Sequence, residues 1–188
     1  MEENIEMGER KNKAIELHSN RYTCSQAVAC AFCDLVDVDE STMKDMVKRY
    51  SGGAYKVCGA VMGAYVIANY LNGNINLENP AEAVKDDMEL LNEIEKKFKD
   101  KNTSVLCKEL KGITTGTMLR SCRGCVEDAA EILEEIESII GKERLEELTS
   151  INPKLALLNK RIDIRTPIEF KLNFKEKLMM NFNLNFLK

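Results

Sequence analysis

The chain has one histidine in 188 residues, and nothing in the sequence around it argues for a Ser/His/Asp arrangement. His18 itself lies near the end of a first predicted helix, where a positive charge suits the helix dipole, and it reads as a surface cap rather than a metal ligand. No phosphate-binding loop of the G-x-x-x-x-G-K type is present. No strand–helix–strand alternation appears before about residue 150, which argues against a parallel α/β fold. No apolar run reaches the ~18 residues that would cross a bilayer. The acidic, polar start Met1-Glu2-Glu3-Asn4 is unlike a secretory signal, so the expected location is cytoplasmic. A net charge of −4 gives no reason to expect a nucleic-acid partner. There is no internal repeat.

What is abundant is cysteine. Seven thiols in a reducing compartment are not normally static disulfides, and an odd number cannot all pair. They are free core thiols, metal ligands or redox groups. A hydrophobic fraction of 44% with 31% charged residues is that of a soluble globular chain.

The periodicity predicts an all-α fold, a compact bundle of about six or seven helices with an irregular or partly extended C-terminal tail. Asn4 to Leu17 forms the first helix. Thr23-Cys24-Ser25-Gln26 has the form of a capping box and starts a second, through about Leu35. Asp39 caps a third, which Gly52-Gly53 stops. The fourth runs from about Val57 to Leu71. Asn79-Pro80 opens a helix to about Lys99, with Val84, Met88, Leu91, Ile94 and Phe98 on one stripe. A short helix covers Val105 to Leu110. The last, Cys125 to Ile140, turns Val126, Ala129, Ile132, Leu133, Ile136 and Ile140 inward.

Composition changes near Pro153. Residues 151–188 hold four of the six phenylalanines, no cysteine and no glycine. They carry eight basic and three acidic side chains, a net of +5, so the preceding residues must carry −9 to reach −4. Ile162–Ile164, Ile168–Phe174 and Asn181–Phe186 alternate at a strand period. Two domains are therefore expected: a cysteine-bearing helical domain over 1–150 and a basic, Phe/Asn-rich extension over 151–188. The extension is either loosely held or a pair of strands against the acidic helices.

Four cysteines, Cys24, Cys58, Cys107 and Cys122, fall where helices begin or pack. Cys58-Gly59-Ala60-Val61-Met62-Gly63 places a thiol in the first turn of a helix beside the nearly bare face of Gly59, Ala60 and Gly63. Glycine inside a helix costs ~1 kcal/mol relative to alanine, so two of them beside a thiol suggest that close approach by another backbone or a cofactor is needed. The motif alone fits an inert tight crossing equally well. Cys122-Arg123-Gly124-Cys125 resembles a redox or metal-knuckle turn ahead of a helix, and Arg123 would favour a thiolate. The strand context of thioredoxin-like proteins is missing, and a zinc ribbon needs two such pairs. Cys30 and Cys33 read as packing or surface thiols, since Cys33 lies ~180° around the helix from Cys24 at ~100° per residue.

These blocks resemble the redox-active protein family named for its cysteines, C_GCAxxG_C_C. The C-G-A-x-x-G hallmark corresponds to Cys58–Gly63. Tyr22-Thr23-Cys24-Ser25-Gln26-Ala27-Val28 is similar to its Cys-Ser-Gln-Ala-Val segment, and Cys107-Lys108-Glu109-Leu110 to its Cys-x-x-Leu. Cys122 precedes Val126-Glu127-Asp128-Ala129-Ala130 by four residues, as in the family, and Gly52-Gly53 is similar to its glycine-rich turn. The blocks occur in family order over about residues 8–140. The resemblance implies a helical domain with four key thiols, Cys24, Cys58, Cys107 and Cys122, and a redox role without an assigned substrate. Cys125 stands where members often carry an aromatic, and the tail has no counterpart in the pattern.

Three functions then compete. In the first, the thiols carry out thiol–disulfide or electron-transfer chemistry with an unknown redox partner. Cys58 attacks, Cys122 resolves, Cys125 is in reserve, and no cofactor is required. In the second, Cys24, Cys58, Cys107 and Cys122 hold an iron–sulfur cluster or, less favoured, zinc. In the third, the thiols are core residues of a non-catalytic binding or assembly module. Self-association is left open.

Overall fold

The computed structural model describes residues 8–71 and 88–151. Among these, the chain forms seven α-helices: α1 (Glu9–Ser19), α2 (Cys24–Ala31), α3 (Glu40–Val47), α4 (Gly59–Leu71), α5 (Met88–Asn102), α6 (Cys107–Leu110) and α7 (Cys122–Ile151). Short 3-10 turns follow α2 at Cys33–Leu35 and α3 at Lys48–Tyr50. The all-α expectation therefore holds over the described residues, where the only extended pairing is a single antiparallel bridge between Val57 and Leu106. No helix is long and apolar enough to cross a membrane among the described residues.

The chain divides into two units, residues 1–140 and 141–188. In the second, the described part is helical, through Ile151. The strand readings in the tail, the cap at Asn79-Pro80 and the first residues of the first and fifth predicted helices lie outside the described residues.

In the first unit α4 is the central element. Every residue from Gly59 to Tyr70 is buried, as expected for a helix that is apolar all round. α2 packs on it, with Ser25 to Ala31 all buried. Leu91, Ile94 and Phe98 of α5 and Val126, Ala129, Ile132, Leu133 and Ile136 of α7 complete the core, on the stripes the helical period predicts. Glu134 on α7 accepts hydrogen bonds from the backbone N–H groups of Arg10 (2.8 Å) and Lys11 (3.1 Å) at the start of α1. A carboxylate thus satisfies orphan donors that Gly8, at the N-cap, has no side chain to meet.

α2 ends at Ala31 rather than about Leu35 and α7 runs to Ile151 rather than Ile140, while two helix starts differ in a way that moves cysteines. The segment before α6 is extended rather than helical: Val105 and Leu106 are held by the bridge to Val57, and α6 begins only at Cys107. α7 begins at Cys122 rather than Cys125. The cause is Ser121, whose carbonyl accepts from Cys125 N–H (2.9 Å) and whose hydroxyl accepts from Gly124 N–H (3.0 Å), which is N-cap geometry. Cys122 and Cys125 are therefore one helical turn apart on one face, not on a knuckle turn.

Candidate thiol site

Each of the four cysteines singled out in sequence sits at a helix start, and each start has an identifiable cause. Cys24 opens α2 behind the Thr23/Gln26 capping box, in which the Gln26 side chain accepts from Thr23 N–H (3.0 Å). Cys58 is the N-cap of α4: its carbonyl accepts from Met62 N–H (3.0 Å). The bridge fixes it from the other side, with Cys58 N–H on Val105 O (2.7 Å) and Cys107 N–H on Lys56 O (2.9 Å). One pair of extended residues thereby sets both Cys58 and Cys107. Cys122 opens α7 behind Ser121.

Glycines bring these starts together. A Cβ on Gly63 would lie 2.6 Å from Ser25 O, inside contact distance with backbone. A Cβ on Gly59 would lie 3.1 Å from Ser51 Cα and 3.4 Å from Cys24 Cβ. The bare face at Gly63 is thus filled by the α2 backbone, while Gly59 borders the thiols. Ala60 is buried, and its contribution is its backbone N–H, which points at Cys58. Gly53, at φ 76°, passes under Cys107, where a Cβ would meet Sγ at 3.3 Å. An L side chain is strained there by both dihedral and space.

The result is a cavity of ≈ 230 Å³ lined by Cys24, Cys58, Cys107, Cys122 and Cys125. All are free thiols. Cys58 and Cys125 are 4% and 2% exposed, whereas Cys24, Cys107 and Cys122 are half-buried. Cys30 and Cys33 are buried away from the cavity; Cys33 Sγ donates to Cys30 O at 3.2 Å, so both are packing thiols.

The five thiols are not equivalent. The Cys125 thiol hydrogen-bonds to Cys58 and pulls it down to about 7, against the opposing effect of burial. The N–H groups of Ala60 and Val61 at the start of α4 and the Lys111 charge act in the same direction. This is an N-cap in which sulfur takes the place of a hydroxyl or carboxylate oxygen. The same hydrogen bond, with burial, raises Cys125 well above the ordinary thiol range. Of this pair Cys58 is the more readily ionised, and Cys125 is the one that keeps its proton. Burial pushes Cys24 up to about 12, reinforced by the nearby sulfurs of Cys122 and Cys58 and by a hydrogen bond with Cys122. Burial, followed by the charge of Cys58, also raises Cys107. The thiol hydrogen-bonded to Cys58 is thus that of Cys125, and Cys122 pairs with Cys24.

Three polar side chains around the thiols were not identified from sequence. His18 lines the cavity instead of capping a free surface: Nε2 is 3.9 Å from Cys24 Sγ. Burial, then the Arg123 charge, disfavours its protonated form. Lys111 lines the cavity, and its charge is favoured first by the sulfurs of Cys122 and Cys107. Arg120 also lines it, forked onto the buried Asp128 through Nε–Oδ2 (2.9 Å) and Nη2–Oδ1 (3.0 Å). The guanidinium crosses α7 at Gly124, where no Cβ would fit. Arg123, expected to favour a thiolate, is exposed and does not line the cavity. The glycine at 124 was a visible signal of close approach; nothing local marked Lys111.

Cys24, Cys58, Cys107 and Cys122, the set weighed as iron–sulfur or zinc ligands, all line the cavity. Among the described residues no three Cys, His, Asp or Glu side chains are grouped so as to hold a metal ion.

Fold and site together define a helical protein built around a thiol-lined cavity. Residues 22–136 match the family described as "Putative redox-active protein (C_GCAxxG_C_C)", and the chain belongs to that family. No curated protein and no solved structure matches it.

Proposed function

We propose that this protein is a thiol–disulfide redox protein in which Cys58 and Cys125 cycle between dithiol and disulfide. The observation that carries this reading is that both buried cysteines line one cavity, with Cys58 at the helix start whose Ala60 and Val61 N–H groups favour its thiolate. Exchange needs an attacking thiolate, a second sulfur within reach and access for the reactant. Cys58 supplies the first, Cys125 the second and the cavity the third.

The cycle balances without a cofactor. The Cys58 thiolate attacks one sulfur of a disulfide R–S–S–R, forming Cys58–S–S–R and releasing RS⁻. The Cys125 thiol gives up its proton to the second leaving group as its sulfur attacks Cys58 Sγ. Cys58–S–S–Cys125 forms and RSH departs. Two electrons pass from the protein to the disulfide, and the reverse sequence reduces the protein. A cytoplasmic setting, which keeps thiols reduced, would suit a resting dithiol state.

Cys125 replaces Cys122 as the resolving thiol in this reading because it is the one that holds the proton shared with Cys58. Mild oxidation of the reduced protein, quenching by alkylation and peptide mass spectrometry tests it. The expected first product is a Cys58–Cys125 cross-link with Cys24, Cys107 and Cys122 alkylated. If Cys58 remains alkylatable while other cysteines pair, the assignment fails.

A further inference from the structure

We propose that the reactant this site admits is a small anionic disulfide, a low-molecular-weight compound whose carboxylate or sulfonate is held by Lys111 while its sulfur meets Cys58. The inference rests on the Cys58–Cys125 reading and adds to it the chemical class of the reactant.

Access argues for small size. Cys58 and Cys125 are 4% and 2% exposed, so a target sulfur must enter the cavity to line up with them. The cavity of ≈ 230 Å³ admits a small disulfide, and the recessed position of both cysteines disfavours a disulfide held within a folded chain.

Charge argues for an anion. Among the described residues no carboxylate lines the cavity, and its ionisable side chains other than the thiols are His18, Lys111 and Arg120. Arg120 is committed to Asp128 by its two-point fork. His18 is disfavoured as a cation by burial. Lys111 is different. It is exposed, has no carboxylate partner among the described residues, and lines the cavity beside the thiols. It is therefore a cation at the thiols with donors to spare, in a protein whose net charge of −4 would otherwise repel anions.

The test uses the full-length reduced chain and three small disulfides: dithiodipropionate (anionic), hydroxyethyl disulfide (neutral) and cystamine (cationic). The rate of Cys58–Cys125 cross-link formation is read by quench-alkylation, each rate being divided by that of the same disulfide with a simple free thiol. At low salt the normalised rate should be about ten-fold higher for the anion than for the cation, the size of one screened charge contact. Lys111→Gln should remove the preference and Lys111→Glu should reverse it. Taking the ratio between disulfides cancels any change in Cys58 reactivity that the variants cause. Equal rates, a faster cationic disulfide, an order unchanged in Lys111→Glu, or faster reaction with oxidised thioredoxin than with any of the three would overturn the proposal while leaving the redox pair standing. If no disulfide yields the Cys58–Cys125 link, the redox pair itself is wrong and the reactant class falls with it.

Discussion

Replacing Cys125 by alanine removes the largest effect that holds Cys58 down to about 7, and leaves burial, the next largest, acting in the opposite direction. Cys58 should then return towards its ordinary value of 9.0. A return of two units corresponds to about 3 kcal/mol of lost preference for the thiolate. At pH 7 the thiolate fraction would fall from about one half to about 1%, roughly 50-fold. A more basic thiolate is intrinsically more reactive, by ~6- to 10-fold over two units at a Brønsted slope of ~0.4–0.5. The net expectation is a fall of about 5- to 8-fold in the rate of Cys58 alkylation at pH 7, with the midpoint of the rate–pH profile displaced upward. Peptide-resolved labelling with a small alkylating agent, from pH 5 to 10, reads Cys58 separately from the other six thiols. Cys125→Ser keeps a hydroxyl donor in nearly the same place and should retain part of the shift. A Cys125→Ala profile that overlays the wild type would refute the idea that this thiol activates Cys58.

Other expectations follow from the same geometry. Gly63→Ala forces a Cβ against Ser25 O, so chemical denaturation should show a loss of about 1–3 kcal/mol, and no loss would mean that the α2–α4 crossing is looser than described. Cys30 is fully buried and pushed up to about 12, so it stays protonated in the fold but ionises in the unfolded chain above its ordinary 9.0. Stability should therefore be unaffected by Cys30 below pH 9 and fall by about 1.4 kcal/mol per pH unit from there towards pH 12; Cys30→Ala should flatten that slope in urea titrations. On the disulfide reading, anaerobically purified protein should contain no stoichiometric iron, sulfide or zinc. A brown protein with iron and sulfide would displace the disulfide mechanism.

Much of the architecture was legible because it depends on local and periodic features. Helical periodicity identified the buried faces of α5 and α7 wherever their side chains are described, and the Thr23/Gln26 box located the start of α2 to the residue. The starts of α6 and α7 were misplaced for non-local or weak local reasons. Val105 and Leu106 are apolar enough for a helix turn, and only the pairing with Val57, some fifty residues away, holds them extended. Ser121 is a helix cap, but the glycine at 124 obscured the helix that follows it.

Cys24, Cys58, Cys107 and Cys122 could be selected from sequence because each adjoins a helix start or a small-residue motif, and those are properties of neighbouring residues. The partners of these thiols could not be selected that way. Whether Cys58 neighbours Cys122 or Cys125 depends on how far along α7 the start of α4 lies, since the two residues share a face and differ by one helical turn. Lys111 and His18 reach the cavity through the packing of separate elements, and only that packing distinguishes them from the other surface cations of the chain. Hydrophobic period and capping act over a few residues, so the sequence alone determined a helical protein with thiols at its helix starts. A thiol's charge state depends on burial and on groups distant in the chain, so only the tertiary structure decided which sulfur is activated, and by what.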